Sequence, residues 1–133
     1  MPVVSVTRLR LRSAWFLPAF LFHAIRSQLQ SKRAAGNIST QVLNDANLAF
    51  WTLTVWRDKD AMRAYMISGA HKTAMPKLMA WCDEAAMADW TQDHPAPPSW
   101  ADAHKRLIAE GRRSKVRQPS RRQLDFVIPP PRA

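Results

Sequence analysis

Apolar and polar positions alternate with a period of two over residues 3–11, Val4 and Val6 leading into Arg8, Leu9, Arg10, Leu11 and Arg12. That spacing predicts a strand with arginines on one face towards its end. After Ser13 the period lengthens. Phe16, Leu17, Phe20, Leu21, Ala24, Ile25 and Leu29 recur at three- and four-residue steps, the pattern of an amphipathic helix. Ser13 suits its N-cap, and Gly36 suits the stop. Residues 38–43 predict a second short strand, and the following NDAN a turn. Residues 49–56 are apolar on both faces of a third strand: Phe50, Thr52, Thr54 and Trp56 on one, Trp51, Leu53 and Val55 on the other. A helical region capped by Asp58 follows, which Ser68-Gly69 and Pro76 are expected to break into pieces. Residues 84–91 alternate again as a fourth strand. HPAPPS at 94–99 reads as a linker, and 99–110 as a short helix capped by Ser99 and ended by Gly111.

This order, β-α-β-β-α-β, predicts an α+β, ferredoxin-like domain over residues 1–111, with helices on one face of an antiparallel sheet. A third strand apolar on both faces needs cover on its second side as well. With no further helix layer assigned, a partner subunit is the economical cover, giving a homodimer in which two sheets close a shared α/β barrel. Residues 112–133 carry seven basic residues and four prolines. They are expected to form a disordered basic tail whose removal leaves the fold intact.

Charge changes this picture little. The formal net charge is +10, but residues 34–93 carry five basic and seven acidic groups, so the candidate site region is near neutral. Residues 1–33 carry six basic groups and no acid, and residues 94–133 carry nine basic groups against three acidic. The tail offers nonspecific attraction to nucleic acid or anionic lipid. No folded nucleic-acid motif accompanies it, so a nucleic-acid accessory is the weakest of the functional readings. The single cysteine, Cys82, favours a reducing compartment and a structural thiol. The apolar run at 14–25 follows three arginines as a signal peptide would. A strand-like stretch already precedes it, Pro18 and His23 interrupt it, and it is too short to span a bilayer. The expectation is a cytoplasmic protein without a membrane partner.

His71 is the main chemical candidate. A histidine here either satisfies a backbone carbonyl in a helix–sheet seam or serves as ligand or acid/base group at a site. His23, His94 and His104 have no metal-ligand spacing, which argues against zinc. Among six tryptophans, Trp51 and Trp90 read as core, whereas Trp56 and Trp81 are equally pocket wall or core. Met62, Met66, Met75 and Met79 read as packing. Arg8, Arg10 and Arg12 either grip an acidic group of a substrate, with Arg10 the chosen contact, or form a solvated face or an ion pair. No nucleophile elbow, phosphate loop, dinucleotide fingerprint or paired catalytic carboxylate is present.

FWTLTVW, a short acidic turn, a helix of the form AM..Y, and then SGAHKTAM resemble the dimeric α/β-barrel monooxygenase superfamily. The nearest branch is a DUF3291-like group related to spheroidene monooxygenase and to antibiotic biosynthesis monooxygenase-like proteins. SVTRLRLRS with FLPAF, WCDEAAMADW and PPSW fit the same branch, so the resemblance spans about residues 3–110. It implies a ferredoxin-like fold, a homodimer and a pocket between sheet and helices. Relatives include cofactor-free quinone-forming oxygenases and haem-degrading monooxygenases. In the latter a histidine in an Ala-His pair ligates the iron, and Ala70-His71 stands in a comparable place. Ser5 and Thr7 occupy the first strand where that branch has asparagine. The implied function is a small monooxygenase-like protein acting on an apolar, polycyclic or isoprenoid-like molecule, with no cofactor or with haem. His71 would be the catalytic group or haem ligand, with Trp56, Tyr65, Trp81 and Arg10 on the substrate. The alternative is a non-catalytic dimeric binding or sensor protein using the same pocket.

Overall fold

The computed structural model describes residues 1–132. Its elements are β1 (Val3–Leu11), α1 (Leu17–Arg33), β2 (Asn37–Asn44), β3 (Ala49–Trp56), α2 (Lys59–Met66), α3 (Gly69–Trp81), β4 (Cys82–Thr91), α4 (Trp100–Glu110), β5 (Arg112–Arg113) and α5 (Arg121–Asp125). All neighbours in the sheet are antiparallel, in the order β2-β3-β1-β4-β5. The first four strands and the helices between them form the predicted ferredoxin-like arrangement.

Local chemistry sets the ends of these elements. Ser13 accepts a hydrogen bond from the Trp15 amide and starts a single turn of 3-10 helix, Ala14–Phe16, which leads into α1 with Pro18 in its first turn. Proline costs nothing there, because that amide has no helical partner to lose. Asp58 Oδ1 accepts from the Ala61 amide at 2.8 Å and starts α2. Gly36 takes φ +85°, and a Cβ on it would lie 2.6 Å from that of Ala61, so the turn leaving α1 admits no other residue without movement. Pro76 does not break the second helical region, contrary to the sequence expectation. α3 runs through it, held by Ala74 and Leu78, both packed into the sheet-facing core.

Side-chain alternation divides the sheet's contacts between two faces. On the first, Leu11 and Leu9 of β1 with Phe50 of β3 meet Phe20 of α1 and Ala74 and Leu78 of α3. On the second, Val4, Val6, Trp51, Leu53, Val55, Ala86 and Ala88 meet Ala103 and Leu107 of α4. Trp51, Leu53, Val55 and Trp56 are fully buried, as the two-sided apolarity of β3 predicts.

Two expectations require correction. The first concerns residues 112–133, expected to be a disordered tail. Phe126 and Ile128 pack on the second-face core, and Gln123 bonds both backbone groups of Ala85, receiving its N–H and donating to its C=O, each at 3.0 Å. The His104 ring Nε2–H donates to the Ile128 carbonyl at 2.8 Å. Basic and proline content misled because the few apolar residues fall where an open face can bury them. The second correction follows. The bare sheet face that called for a partner subunit is covered by α4 and by this segment. An uncovered face therefore no longer calls for a partner subunit, the homodimer keeps only the support of the family resemblance, and the residues after 111 pack on the domain.

Candidate active site

The first face is not filled completely. Between it and helices α1, α2 and α3 lies a cavity of about 370 Å³, within the usual range for small-molecule pockets. Its floor is the sheet. Ser5 and Thr7 of β1 pair in register with Thr54 and Thr52 of β3, placing four hydroxyl side chains side by side among Leu9, Phe50 and Trp56. Its helical wall carries Phe20, Ala24, Met62, Met66, Met75 and Leu78, with Tyr65 and His71 at one end.

Those last two residues join Trp56 in an aromatic cluster. Trp56 stacks on Tyr65 with centroids 5.1 Å apart, and Tyr65 lies 4.8 Å from the His71 ring. The Tyr65 hydroxyl donates to the Ser27 carbonyl at 3.2 Å. Burial pushes its pKa up to about 12, so it stays a phenol at neutral pH. The His71 Nδ1 lies 3.0 Å from the Met66 carbonyl. A carbonyl only accepts, so Nδ1 carries the proton, and in the neutral ring Nε2 is left with a free lone pair. Burial lowers the His71 pKa, outweighing the opposing effect of the Met66 bond, and the ring is neutral at pH 7. On the far side of Tyr65, the Trp56 indole N–H is buried, with no hydrogen-bond partner among the described residues. Trp56, Tyr65 and His71 all line the cavity, so its wall includes a histidine with one unpaired ring nitrogen and a tryptophan with an unsatisfied N–H.

Gln30 of α1 fixes where His71 stands. Ser68 occupies the N-cap of α3 but turns its hydroxyl back to the Ala64 carbonyl at 2.7 Å. The Gln30 carbonyl oxygen takes over, accepting from the His71 amide at 2.8 Å, while its amide nitrogen donates to the Ser68 carbonyl at 2.9 Å. Gly69, at φ +58°, brings the chain so close that a Cβ would lie 3.0 Å from that side chain. The sequence reading missed Gln30. A glutamine on a helix carries no motif, and only the Ser-Gly break hinted that something outside must cap α3.

Of the five predicted site residues, the structure brings His71, Trp56 and Tyr65 together and leaves two elsewhere. Trp81 is absent from the cavity wall; it stacks on Phe16 at 6.1 Å and lies 5.7 Å from His23. Arg10 points to the opposite sheet face, where it pairs with Asp83 at 2.7 Å and donates to the Asn47 carbonyl. Arg8 likewise forms a buried 2.7 Å ion pair with Glu84, and Arg12 donates to the Ala80 carbonyl. Arginine spacing showed a shared face but not which one: for Arg8 and Arg10 it is the face that meets α4 and the C-terminal segment, whereas Arg12, past a register shift in β1, lies over the Phe16 ring at 4.5 Å on the α3 side. His23, set aside in the sequence reading, does line the cavity, with a pKa lowered by burial and by Lys77 and Arg26. Cys82 is buried, and its thiol pKa is raised to about 12 by burial and by Asp83, so it is inert.

His71 has the arrangement of a haem ligand, one ring nitrogen held by a carbonyl and the other free. The rest of the cavity does not fit that group. Among the described residues no arginine, lysine or acidic side chain lines it, so no cation in its wall pairs with a propionate, and Tyr65 packs on the His71 ring. Nor does any group of three metal-ligating side chains come together among the described residues.

The family described as a domain of unknown function, DUF3291, matches residues 16–113. No protein of curated function matches the chain. Solved structures with the same fold include SnoaB, a cofactor-independent oxygenase from Streptomyces nogalater. It is 21% identical, with a TM-score of 0.57 over 70% of this chain and 94% of SnoaB. Rv0793 from Mycobacterium tuberculosis is 13% identical, with a TM-score of 0.65 over 72% of this chain and 99% of its own. A conserved protein from Methanosarcina mazei is 14% identical, with a TM-score of 0.63 over 70% of this chain and 94% of its own. At these identities the likeness shows a shared fold.

Proposed function

The chain belongs to the DUF3291 family, and from that footing we propose that it is a small monooxygenase-type enzyme acting on an apolar, polycyclic molecule without a bound cofactor. One observation carries the proposal: a neutral His71 with Nε2 free, joined through Tyr65 to Trp56 and its unpartnered N–H, in the wall of an apolar cavity with a hydroxyl-bearing floor. The cavity selects flat, apolar substrates by burial. The Trp56 N–H gives a substrate oxygen its hydrogen bond, recovering a donor that otherwise stays unsatisfied. His71 Nε2 takes a proton from an acidic O–H or C–H held there, and its lowered pKa keeps it in the basic form at pH 7. The resulting polycyclic anion is electron-rich enough to react with dioxygen directly. Conversion of a ring methylene to a carbonyl consumes one O₂ and releases one water, so no external reductant is required. The similarity of fold to a cofactor-independent oxygenase supports this reading.

The test is oxygen uptake with anthrone-type and naphthol-type polycyclic phenols. Wild type should consume oxygen, and His71→Gln should lower turnover roughly 100-fold or more, the usual worth of a positioned acid/base. Binding of the same molecules without oxygen uptake by the wild type would instead mark a ligand-binding protein. A Soret shift with haemin that His71→Gln abolishes would overturn the cofactor-free version.

A further inference from the structure

We propose that the outward side of α1 docks on an anionic lipid bilayer and opens the cavity to it; the lipid-side delivery of substrate rests on the function proposed above, the docking itself does not. Leu21, Phe22, Ile25 and Leu29 recur at helical spacing, and all four are exposed, Phe22 at 57% and Ile25 at 55%. Trp15, just before the helix, is 85% exposed. Tryptophan is favoured where an apolar layer meets water. On the neighbouring β2 edge Ile38 and Val42 are exposed too. Leu21, Ile25 and Val42 also line the cavity, so the exposed apolar surface continues into its mouth.

The charges around this stripe name the occupant. α1 carries Arg26, Lys32 and Arg33, all exposed, and α3 carries exposed Lys72 and Lys77. Neither helix contains an aspartate or glutamate, and the first acidic residue in the chain is Asp45. An apolar stripe on a helix that carries only cations, beside a second helix that also carries only cations, matches an interfacial helix on anionic lipid. A second copy of the chain fits worse, because a two-fold contact through α1 would set two acid-free basic stripes against each other. No described helix is long and apolar enough to cross a membrane, so the contact is peripheral. The proposal departs from the sequence expectation of no membrane partner.

Vesicle flotation tests it, using phosphatidylcholine vesicles with and without about one third phosphatidylglycerol and no substrate, so that the outcome is independent of turnover. The full chain should float with the anionic vesicles, less at high salt, and little with phosphatidylcholine alone. Phe22→Ser/Leu29→Ser and Arg26→Glu/Lys32→Glu alter exposed residues outside the cavity wall. The second pair should cut partitioning by at least about twentyfold, from about fivefold per cation removed, and the first should cut it too by removing buried apolar surface, both with circular dichroism unchanged. Arg121→Glu/Arg122→Glu, in the C-terminal segment, should leave it unchanged. No flotation, or loss only with the C-terminal pair, would overturn the proposal. So would a dimer in sedimentation that Phe22→Ser/Leu29→Ser dissociates, since a second copy would then cover the stripe.

Discussion

Gln30 shows how one ordinary side chain can set up a reactive one. Its amide joins α1 to the junction of α2 and α3, and it satisfies the amide of the residue whose ring faces the cavity. Gln30→Ala should lower stability by about 1–2 kcal/mol, the cost of stranding a part-buried donor, and should reduce turnover further by freeing the start of α3. Chemical denaturation, together with turnover measured well below the unfolding midpoint, separates the two effects. At this scale the sequence was informative where a residue type has a narrow chemistry. His71 stood out because few side chains exchange protons near pH 7, and Trp56 and Tyr65 because the family resemblance implies an aromatic ring near that histidine. Ser5, Thr7, Thr52 and Thr54 were visible as strand residues, yet only the β1–β3 register shows that they form one patch. Arg10 and Trp81 were misplaced because alternation assigns residues to faces without saying what covers each face.

Among elements, the C-terminal segment departs furthest from its composition. Ser120 donates to Glu84 Oε2 at 3.0 Å, and Glu84 in turn pairs with Arg8 at 2.7 Å. The pair is almost fully buried, with side chains 6% and 5% exposed. Breaking such a pair from one side leaves a stranded charge. Glu84→Ala should therefore cost about 3–5 kcal/mol. Deleting residues 114–133 should be comparably severe, because it uncovers the pair and removes Gln123 from Ala85. Both are read as a lowered midpoint in thermal or urea unfolding; a truncated chain as stable as the full one would show the segment to be dispensable. Elements with strong periodicity, β1, α1 and β3, were legible within a residue or two. The C-terminal segment was not, since its anchors are single contacts, Gln123, Phe126 and Ile128, separated by polar and proline residues.

For the molecule as a whole, the two lowered histidines make stability depend on pH. His71 and His23 hold protons less readily in the fold than in the unfolded chain, His71 through burial and His23 through burial and the neighbouring Lys77 and Arg26. Between the ordinary histidine pKa of about 6.5 and the lowered folded values, the unfolded chain binds more protons. Unfolding free energy should therefore be full above about pH 6.5 and decline as pH falls below it. Urea midpoints at pH 7.5 and 5.5 should differ, and less so in His71→Gln. The fold class was legible because order and periodicity of elements suffice to specify a split βαβ sheet. The covering of its second face was not, because that depends on contacts between residues far apart in the chain. One consequence of that covering concerns synthesis. A ribosome makes Trp51, Leu53 and Val55 long before Gln123, Phe126 and Ile128, so the nascent chain presents a finished apolar sheet face with no lid. Folding can close only after the final stretch emerges, and a chain stalled before it should be a substrate for chaperones and proteases.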